Sequence, residues 1–510
     1  MTDDEHGPSS EQPTSRATDR AELSRAELSV RASRGVMIVM AWGLTSLALG
    51  FVGNVVLARL LEPADFGIFA IGSVVLLVTY GLSEAGLGPG MIRRREAPTR
   101  AELRALTGFQ VAATSVLAIL VAVVALPFGT TGAVVAVMVT AMPISVLQTP
   151  GRVLFARTLA YERLAAAEAA IVLSFYAWSI TTVALGAGVW GLATGAIVRA
   201  IFGTMTIWIV SDVGVVLPGA IRWKTTRPLV SYGLRIQATW LVIMIRDLVL
   251  NAIAAAVVGI ASLGLWSLAR RLMEVPLVLF DSLWRVTFPA MSHILTGGED
   301  PAPLLERGSR VFTVIASLAL VVFVGTFSGI IPLLFGEEWR GVGSIIPWAA
   351  VGLLIAGTVS VATVGYLQAA GHPEDTLVAA VAFALVWIAT TAAVLPIVGI
   401  EAVGMGWITG GIAEAILLDR ATRRRSSARV LRASIVPLLV GVVGCALAGA
   451  TSLVVPSGPE AAVAGVSVGI VTTLAGLVLF ARPVVRETVD ATRTALHRAL
   501  SRPLTPASGD

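Results

Sequence analysis

The 510 residues include one cysteine, one lysine and four histidines. Cys445 lies in an apolar run, so no internal disulfide is possible and a thiolate metal site lacks its ligands. His6, His293, His372 and His497 stand far apart, in tails and loops, and show no metal-ligand spacing. No metal or other cofactor is expected. Charge is also scarce, at 14% of residues against about 25% in ordinary globular proteins. No GxxxxGK[ST] segment is present, which excludes ATP hydrolysis on a P-loop of this chain. The first 33 residues lack the apolar stretch of a secretion signal and read as a disordered, mobile cytoplasmic tail.

Apolar surface is abundant. The chain is 56% hydrophobic with a mean hydropathy of +0.85, which excludes a soluble core. A helix needs about 20 apolar residues to cross the hydrocarbon region, and such runs follow one another along the sequence. Gly, Pro and charge punctuation delimits them near 35–60, 65–92, 104–127, 132–151, 164–186, 190–211, 229–258, 261–284, 309–335, 341–370, 376–396, 402–419, 433–455 and 460–481. The expectation is an all-α integral membrane protein with about fourteen transmembrane helices.

The net charge of +5 does not point to nucleic acid, because the basic residues are scattered through short loops rather than gathered on one face. They orient the chain instead. With both termini in the cytoplasm, the inner tails and loops hold 29 basic residues and the outer loops only Arg59 and Arg340, as the positive-inside rule requires. The outer loops, such as 127–131 and 259–262, are too short to carry an active site, so an enzyme is not expected and function is placed within the membrane.

The chain also resembles itself at a spacing of roughly 200 residues. Residues 57–69 align with 254–266, placing Phe66-Gly67 over Leu263-Gly264, and residues 186–191 align with 399–404. Each half is thus six helices, followed by two further spans. Six is even, so both halves enter from the same side and are related by an axis along the membrane normal. Transporters built from such repeats bind substrate near the midplane between the halves.

The segment Val56 to Ala70, Gly86-Leu-Gly88, the basic run Arg93 to Arg95, Ser231-Tyr-Gly233, Arg246-Asp247, Leu263 to Arg271 and Arg285 to Pro289 together resemble the Wzx-type polysaccharide transporter family. That resemblance implies the multidrug/oligosaccharidyl-lipid/polysaccharide exporter fold, with two six-helix lobes in a V around a central cavity. On it the chain divides into a cytoplasmic tail (1–33), an N-lobe (34–211), a cytoplasmic linker (212–228), a C-lobe (229–420), two C-terminal helices (429–482) and an amphipathic cytoplasmic tail (483–510). The implied activity is flipping of polyprenyl-(pyro)phosphate-linked oligosaccharide from the cytoplasmic to the outer leaflet of the plasma membrane by alternating access. The implied pathway is that of a cell-surface polysaccharide, an exopolysaccharide or lipopolysaccharide. The implied partners are the lipid-linked substrate, membrane lipids, glycosyltransferases and a polymerase of the same pathway, and H+ or Na+ as a coupling ion.

Six arginines fall within or at the edges of spans: Arg199, Arg235, Arg246, Arg270, Arg271 and Arg285. A charge at the centre of a membrane helix costs about 2.5–3.5 kcal/mol on insertion scales, so each is expected to face protein or water. Arg235 and Arg246, eleven residues apart, share a face of span seven, and Arg270, Glu274, Asp281 and Arg285 share a face of span eight. Two polar stripes on consecutive helices predict a cationic cavity suited to a phosphate. Arg246 and Arg270 are the expected phosphate contacts, and Arg199 and Arg235 add positive potential.

A blander reading stands beside this one. Arg270 with Glu274, and Asp281 with Arg285, are i,i+4 pairs that neutralise each other within a helix. Arg235 and Arg285 lie near helix ends and can snorkel, and Arg271 points off the face of Arg270. Asp247 matches an acidic position of the resembled family and, with Glu274 and Asp281, is a candidate for ion coupling; its other reading is a local ion pair with Arg246. Glu84, Glu168 and Glu414 are further acids in apolar runs, and Asn54 and Asn251 are candidates for interhelical hydrogen bonds.

Two motifs are decoys. Gly186-Ala-Gly-Val-Trp-Gly191 spells GxGxxG, but no strand precedes it. The arginines from Arg420 to Arg432 attract anionic lipid, yet the positive-inside rule already accounts for them. Two other functions compete with the flippase. A multidrug-type small-molecule exporter favours cationic substrates and an acidic cavity. A membrane glycosyltransferase or polymerase calls for a large outer loop.

Overall fold

The computed structural model describes residues 25–84, 98–158, 160–212, 214–220, 223–484 and 486, and all secondary structure among them is helical. The helices run in chain order as α1 (Arg25–Leu60), α2 (Pro63–Glu84), α3 (Arg100–Ala125), α4 (Gly129–Val139), α5 (Ala141–Ser145), α6 (Thr149–Thr158), α7 (Tyr161–Thr182), α8 (Val189–Val210) and α9 (Trp223–Val258). They continue as α10 (Ile260–Leu272), α11 (Glu274–Thr296), α12 (Ala302–Phe335), α13 (Gly341–Ala369), α14 (Pro373–Val398), α15 (Glu401–Arg423), α16 (Val430–Ala450) and α17 (Pro459–Phe480). Helix α1 begins at Arg25, within the stretch expected as a mobile tail, because residues 25–33 are mainly Arg, Ala, Glu, Leu and Ser with no Gly or Pro. The remainder of that tail, the run Arg93 to Arg95, and the expected amphipathic helix beyond Arg486 lie outside the described residues.

Sequence-local chemistry sets the ends of these helices. Thr99 and Glu102 form a capping box at the start of α3: the Glu102 amide donates to Thr99 Oγ1 at 3.2 Å and the Thr99 amide donates to Glu102 Oε2 at 2.9 Å. Proline opens α2, α14 and α17, where its missing N–H has no partner to lose.

Twelve helical runs among the described residues are long and apolar enough to cross a membrane, two fewer than the fourteen spans read from the sequence. One source of the difference is Arg100–Thr158, a single run of 59 residues that would reach about 90 Å if straight, three times the roughly 30 Å hydrocarbon core. It is not straight: α3 and α4 pack against each other across the turn at 126–129. The other is the stretch expected as one helix over 261–284, which is instead broken at Met273 between α10 and α11. Pro276 has no N–H to offer the Leu272 carbonyl four residues back, while the Met273 amide still donates to the Ala269 carbonyl at 3.0 Å and the Leu277 amide to the Met273 carbonyl at 3.2 Å, so one bond of the ladder is missing.

The two halves meet where α2 packs on α9 and α10. At the crossing the backbones touch. A Cβ placed on Gly67 would collide with the Ile260 carbonyl, and one placed on Gly264 would collide with the Pro63 carbonyl. Each contact therefore involves the residue four positions before the opposite glycine, as a local two-fold axis between the halves requires. The aligned Phe66-Gly67 and Leu263-Gly264 are the two sides of this contact, with Phe66 and Leu263 both buried.

The same end of the molecule is held by polar bonds between the halves. Trp339 Nε1 donates to the Ala58 carbonyl at 2.9 Å, and its ring meets Phe66 edge-on at 4.8 Å. Arg59 donates to the Leu333 carbonyl and, at 2.8 Å, to that of Leu334. These are among the last carbonyls of α12, which have no partner within their helix and lie at its negative end, so a guanidinium there satisfies both needs. The last two helices are packed as firmly as the core. Helix α12 carries α16 and α17, and Gly325 and Gly329 bring its backbone against residues 465–466 and 461–462.

Alanine at Gly264 should be more costly than at exposed Gly43, which has open space for a Cβ. The overpacking cost is about 1–3 kcal/mol. Thermal unfolding in detergent should show a clear fall in Tm for Gly264→Ala and little change for Gly43→Ala; equal melting of the two variants would contradict the close crossing.

Candidate functional site

A cavity of about 320 Å³ lies directly beneath the glycine crossing. Helices α1 and α2 form one wall and α9, α10 and the start of α11 the other, with Tyr176 and Trp387 reaching in from α7 and α14. Residues 70–74 and 266–271 follow Gly67 and Gly264 within two helical turns, so the sealed crossing closes one end of this space.

Arg246 is 7% exposed and does not line the cavity among the described residues. Its Nε and Nη2 donate to Asp247 Oδ1 at 2.9 and 2.7 Å, and Asp247 is the member of the pair that faces the cavity. The guanidinium lies 4.6 Å from the Trp387 ring centroid and 5.3 Å from that of Phe383. Trp387 is itself fixed, stacked on Trp407 at 5.0 Å and donating from Nε1 to the Val403 carbonyl at 2.8 Å. One carboxylate and two aromatic faces thus offset the burial of this cation. The local ion pair read from Arg246-Asp247 is present.

Arg270 is the contrasting case. It lines the cavity, with the Trp407 ring centroid 5.9 Å away, and among the described residues no hydrogen bond or ion pair engages its guanidinium. Glu274, expected as its i,i+4 partner, lines the cavity too, but no ion pair joins the two among the described residues.

Arg271 also lines the cavity, although the sequence reading turned it away from Arg270. It crosses between the halves: Nη1 donates to Asn54 Oδ1 at 2.8 Å, and the guanidinium lies 5.1 Å from the Phe69 ring centroid and 5.7 Å from that of Phe66. No sequence signal isolates it, because the 100° between consecutive helical residues separates Arg270 from Arg271 in projection while the cavity is wide enough to take both.

The remaining candidates are more dispersed. Arg199 sits at the midpoint of α8, over the Phe175 ring at 5.5 Å, and is not among the lining residues. Arg235 belongs to α9 and Arg285 to α11, but their side chains lie outside the described residues, as does that of Glu84. Asp281 is exposed on α11 and does not line the cavity. Glu168 is paired with Arg152 at 2.6 Å, and Glu414 is half-buried on α15. Asn54 and Asn251 both line the cavity. Its wall is therefore mixed rather than uniformly cationic: Arg270 and Arg271 against Glu274, with Asp247 already bound to Arg246.

Other features have structural explanations. Gly186, with φ of 91°, sits in the turn between α7 and α8, and a Cβ at Gly191 would press on Thr182 and Val183, so the GxGxxG spelling is a turn and a close packing contact. His372, Glu374 and Asp375 come together before and at the start of α14, yet Asp375 is bound by Arg425 at 2.8 Å and His372 contacts Glu374 at 3.0 Å. A larger groove of about 930 Å³ between α12, α13 and α16 is mainly apolar, and Arg340 at its rim is paired with Glu337 at 2.6 Å.

Comparison with known proteins gives a consistent answer. The family described as polysaccharide biosynthesis protein matches residues 56–344, more than half of the chain. The lipopolysaccharide biosynthesis protein WzxC of Escherichia coli (strain K12) is 25% identical over 355 residues, covering 66% of this chain and 67% of that protein. Among solved structures, the lipid II flippase MurJ in an inward closed conformation superposes with a TM-score of 0.65 at 12% identity, over 88% of this chain and 100% of that one. A multidrug resistance MATE family transporter of the MOP superfamily in an inward-facing conformation gives 0.60 at 17% identity, over 75% and 94%. These two structures share the fold, which is that of a multi-pass membrane transporter.

Removing one partner of the Arg246–Asp247 pair should cost more than removing both. Asp247→Ala leaves a buried guanidinium without its carboxylate, a loss of about 3–5 kcal/mol, whereas Arg246→Met with Asp247→Leu leaves no orphan charge. Thermal unfolding in detergent should rank the single variant below the double; the reverse order would contradict a structural clamp.

Proposed function

This chain belongs to the polysaccharide biosynthesis protein family, and we propose that it flips a lipid-linked oligosaccharide across the membrane, with the anionic head of the lipid carrier held by Arg270 and Arg271. The observation that carries this reading is Arg270: a guanidinium in an intramembrane cavity that no described group engages by a hydrogen bond or ion pair. A cation in that position is expensive unless something compensates it, and a phosphate or pyrophosphate passing through does so with charge-assisted, bidentate hydrogen bonds. Arg271 is one helical position away and Glu274 faces the same space. Arg246 acts one layer behind, fixing Asp247 at the wall, while Arg199 and Arg235 contribute positive potential.

The distribution of basic residues supports cytoplasmic termini, with 29 on one side against two on the other. On that orientation the glycine crossing and the Arg59 and Trp339 bonds close the outer end, and the cavity serves the cytoplasmic side. The cycle is alternating access: the two halves rock about the site, the outer seal parts, and the head leaves toward the outer leaflet while the polyprenyl tail stays in lipid. The fourteen crossings and the two six-helix lobes at 34–211 and 229–420 belong to this reading, as do Asp247 and Glu274 as candidates for ion coupling. The resemblance to WzxC, named for lipopolysaccharide biosynthesis, and to MurJ, named as a lipid II flippase, supports a lipid-linked saccharide as the cargo.

The test is reconstitution in liposomes and measurement of transbilayer movement of a fluorescent polyprenyl-pyrophosphate oligosaccharide. Wild type should move it, and Arg270→Ala and Arg271→Ala should each slow movement about 10- to 100-fold, the scale of a lost hydrogen bond to a charged group, with elution unchanged in both and melting unchanged in Arg270→Ala. No movement of several such lipids by wild type would refute the flippase; undiminished movement by both variants would refute the site.

A further inference from the structure

The contact at the crossing fixes how the two halves are related residue by residue. Gly67 meets the carbonyl of Ile260 and Gly264 meets that of Pro63, so Gly67 corresponds to Gly264 and Pro63 to Ile260, both at an offset of 197. Carried along the same helices, that offset pairs Asn54 with Asn251 and Ala70 with Ser267. It pairs Gly50 with Asp247, Ser73 with Arg270 and Val74 with Arg271. Every member of these five pairs lines the one cavity. The two walls are therefore built on equivalent backbone positions, and they differ in what those positions carry.

The difference is systematic. Wherever the α9–α10 wall carries a charged side chain, the α1–α2 wall carries a small neutral one: glycine opposite Asp247, serine opposite Arg270, valine opposite Arg271. Equivalent backbone with shorter side chains leaves open volume, and it lies on the α1–α2 wall facing the arginines. The groups around that volume are polar without being ionised. Ser73 lines it, Ser46 Oγ is buried beside the cavity without a hydrogen-bond partner among the described residues, and the Tyr176 hydroxyl donates to the Gly50 carbonyl at 3.2 Å. The α1–α2 wall supplies no cation of its own: the guanidinium that reaches it, that of Arg271, is engaged at the crossing end by Asn54, Phe66 and Phe69, and an isoprenoid tail would leave the hydroxyls of the wall unpaired. A sugar ring suits it, because its hydroxyls both donate and accept, as serine does.

We propose that the α1–α2 wall around Ser46, Gly50 and Ser73 seats the sugar attached to the phosphate, while Arg270 and Arg271 hold the phosphate on the facing wall. This rests on the flippase reading and adds a division of labour between the two walls. The hydrogen bond from Arg271 to Asn54 spans from the charged wall to the neutral one and marks the junction, with phosphate on the side of the guanidinium and sugar on the side of the amide. At about 320 Å³ the cavity is at the small end of the roughly 300–1,000 Å³ of ligand pockets, which suits a phosphate head and its adjoining sugar. Selection then acts on that first sugar, and the later ones extend beyond the site.

The experiment compares binding of two probes to the detergent-purified full chain: polyprenyl diphosphate, and polyprenyl diphosphate carrying one N-acetylhexosamine. Ser73→Trp fills the neutral wall. It should weaken the sugar-bearing lipid at least tenfold and leave the sugar-free lipid within about twofold, while Arg270→Ala should weaken both. Gly50→Val is the second variant, since a Cβ at Gly50 meets only the Tyr176 hydroxyl at 3.6 Å, an ordinary contact; it should show the same selectivity if Ser73→Trp does not fold. Equal loss of both lipids in the wall variants, or loss of neither, would overturn the wall assignment while leaving the flippase intact. Binding of neither lipid by wild type would instead count against the flippase reading, and this proposal would fall with it.

Discussion

A cation inside a hydrocarbon slab must be compensated, and the second half of this protein is organised around that requirement. Arg246 is given a carboxylate and two aromatic faces. Arg271 is given an amide from the other half and two phenyl rings. Arg270 alone of the three is left without a hydrogen bond or ion pair among the described residues, and it faces open space. The difference between satisfied arginines and an unsatisfied one, on the same and on neighbouring helices, is the physical content of the candidate site. Positive charge by itself does not identify a ligand site in a membrane protein; positive charge with its donors unused does.

The second constraint is the approach of two backbones. Gly67 and Gly264 allow α2 and α10 to touch, and the Arg59 and Trp339 bonds to the opposite half close the same end. This seam closes one end of the cavity. It also sets the register between the halves, from which the contrast between charged and neutral walls follows. Two walls built on equivalent backbone positions begin as a symmetric container. Asp247, Arg270 and Arg271 on one wall, with Gly50, Ser73 and Val74 on the other, turn it into a container with two chemically distinct sides.

Much of this was legible in the sequence. Apolar runs interrupted by Gly, Pro and charge marked most of the helices, because crossing a bilayer leaves few alternatives for the backbone. The internal repeat aligned Phe66-Gly67 with Leu263-Gly264, the residues that the structure places on the two sides of one contact, and the pairing of Arg246 with Asp247 was one of the readings offered. What the sequence concealed depends on tertiary context. The boundary between α10 and α11 falls beside Pro276, which removes one bond of the ladder, yet prolines such as Pro332 and Pro347 are accommodated within α12 and α13, so proline alone does not predict a helix boundary. Arg271 was set aside because helical projection treats a cavity as a line, whereas this one is wide enough to accept neighbouring residues. The aromatic faces over Arg246 come from α14, some 140 residues further along, where Trp387 looks like any other apolar position.

The central claim is that the unpaired guanidinium of Arg270, with Arg271 beside it, receives the phosphate of a lipid-linked saccharide. An electron cryomicroscopy structure of the protein in lipid nanodiscs, loaded with a polyprenyl-pyrophosphate saccharide, would test it most directly. The account predicts phosphate density within hydrogen-bond distance of Arg270 and Arg271, with Arg246 still bound to Asp247. Phosphate density elsewhere, or a saturating ligand that leaves Arg270 without a partner, would contradict it.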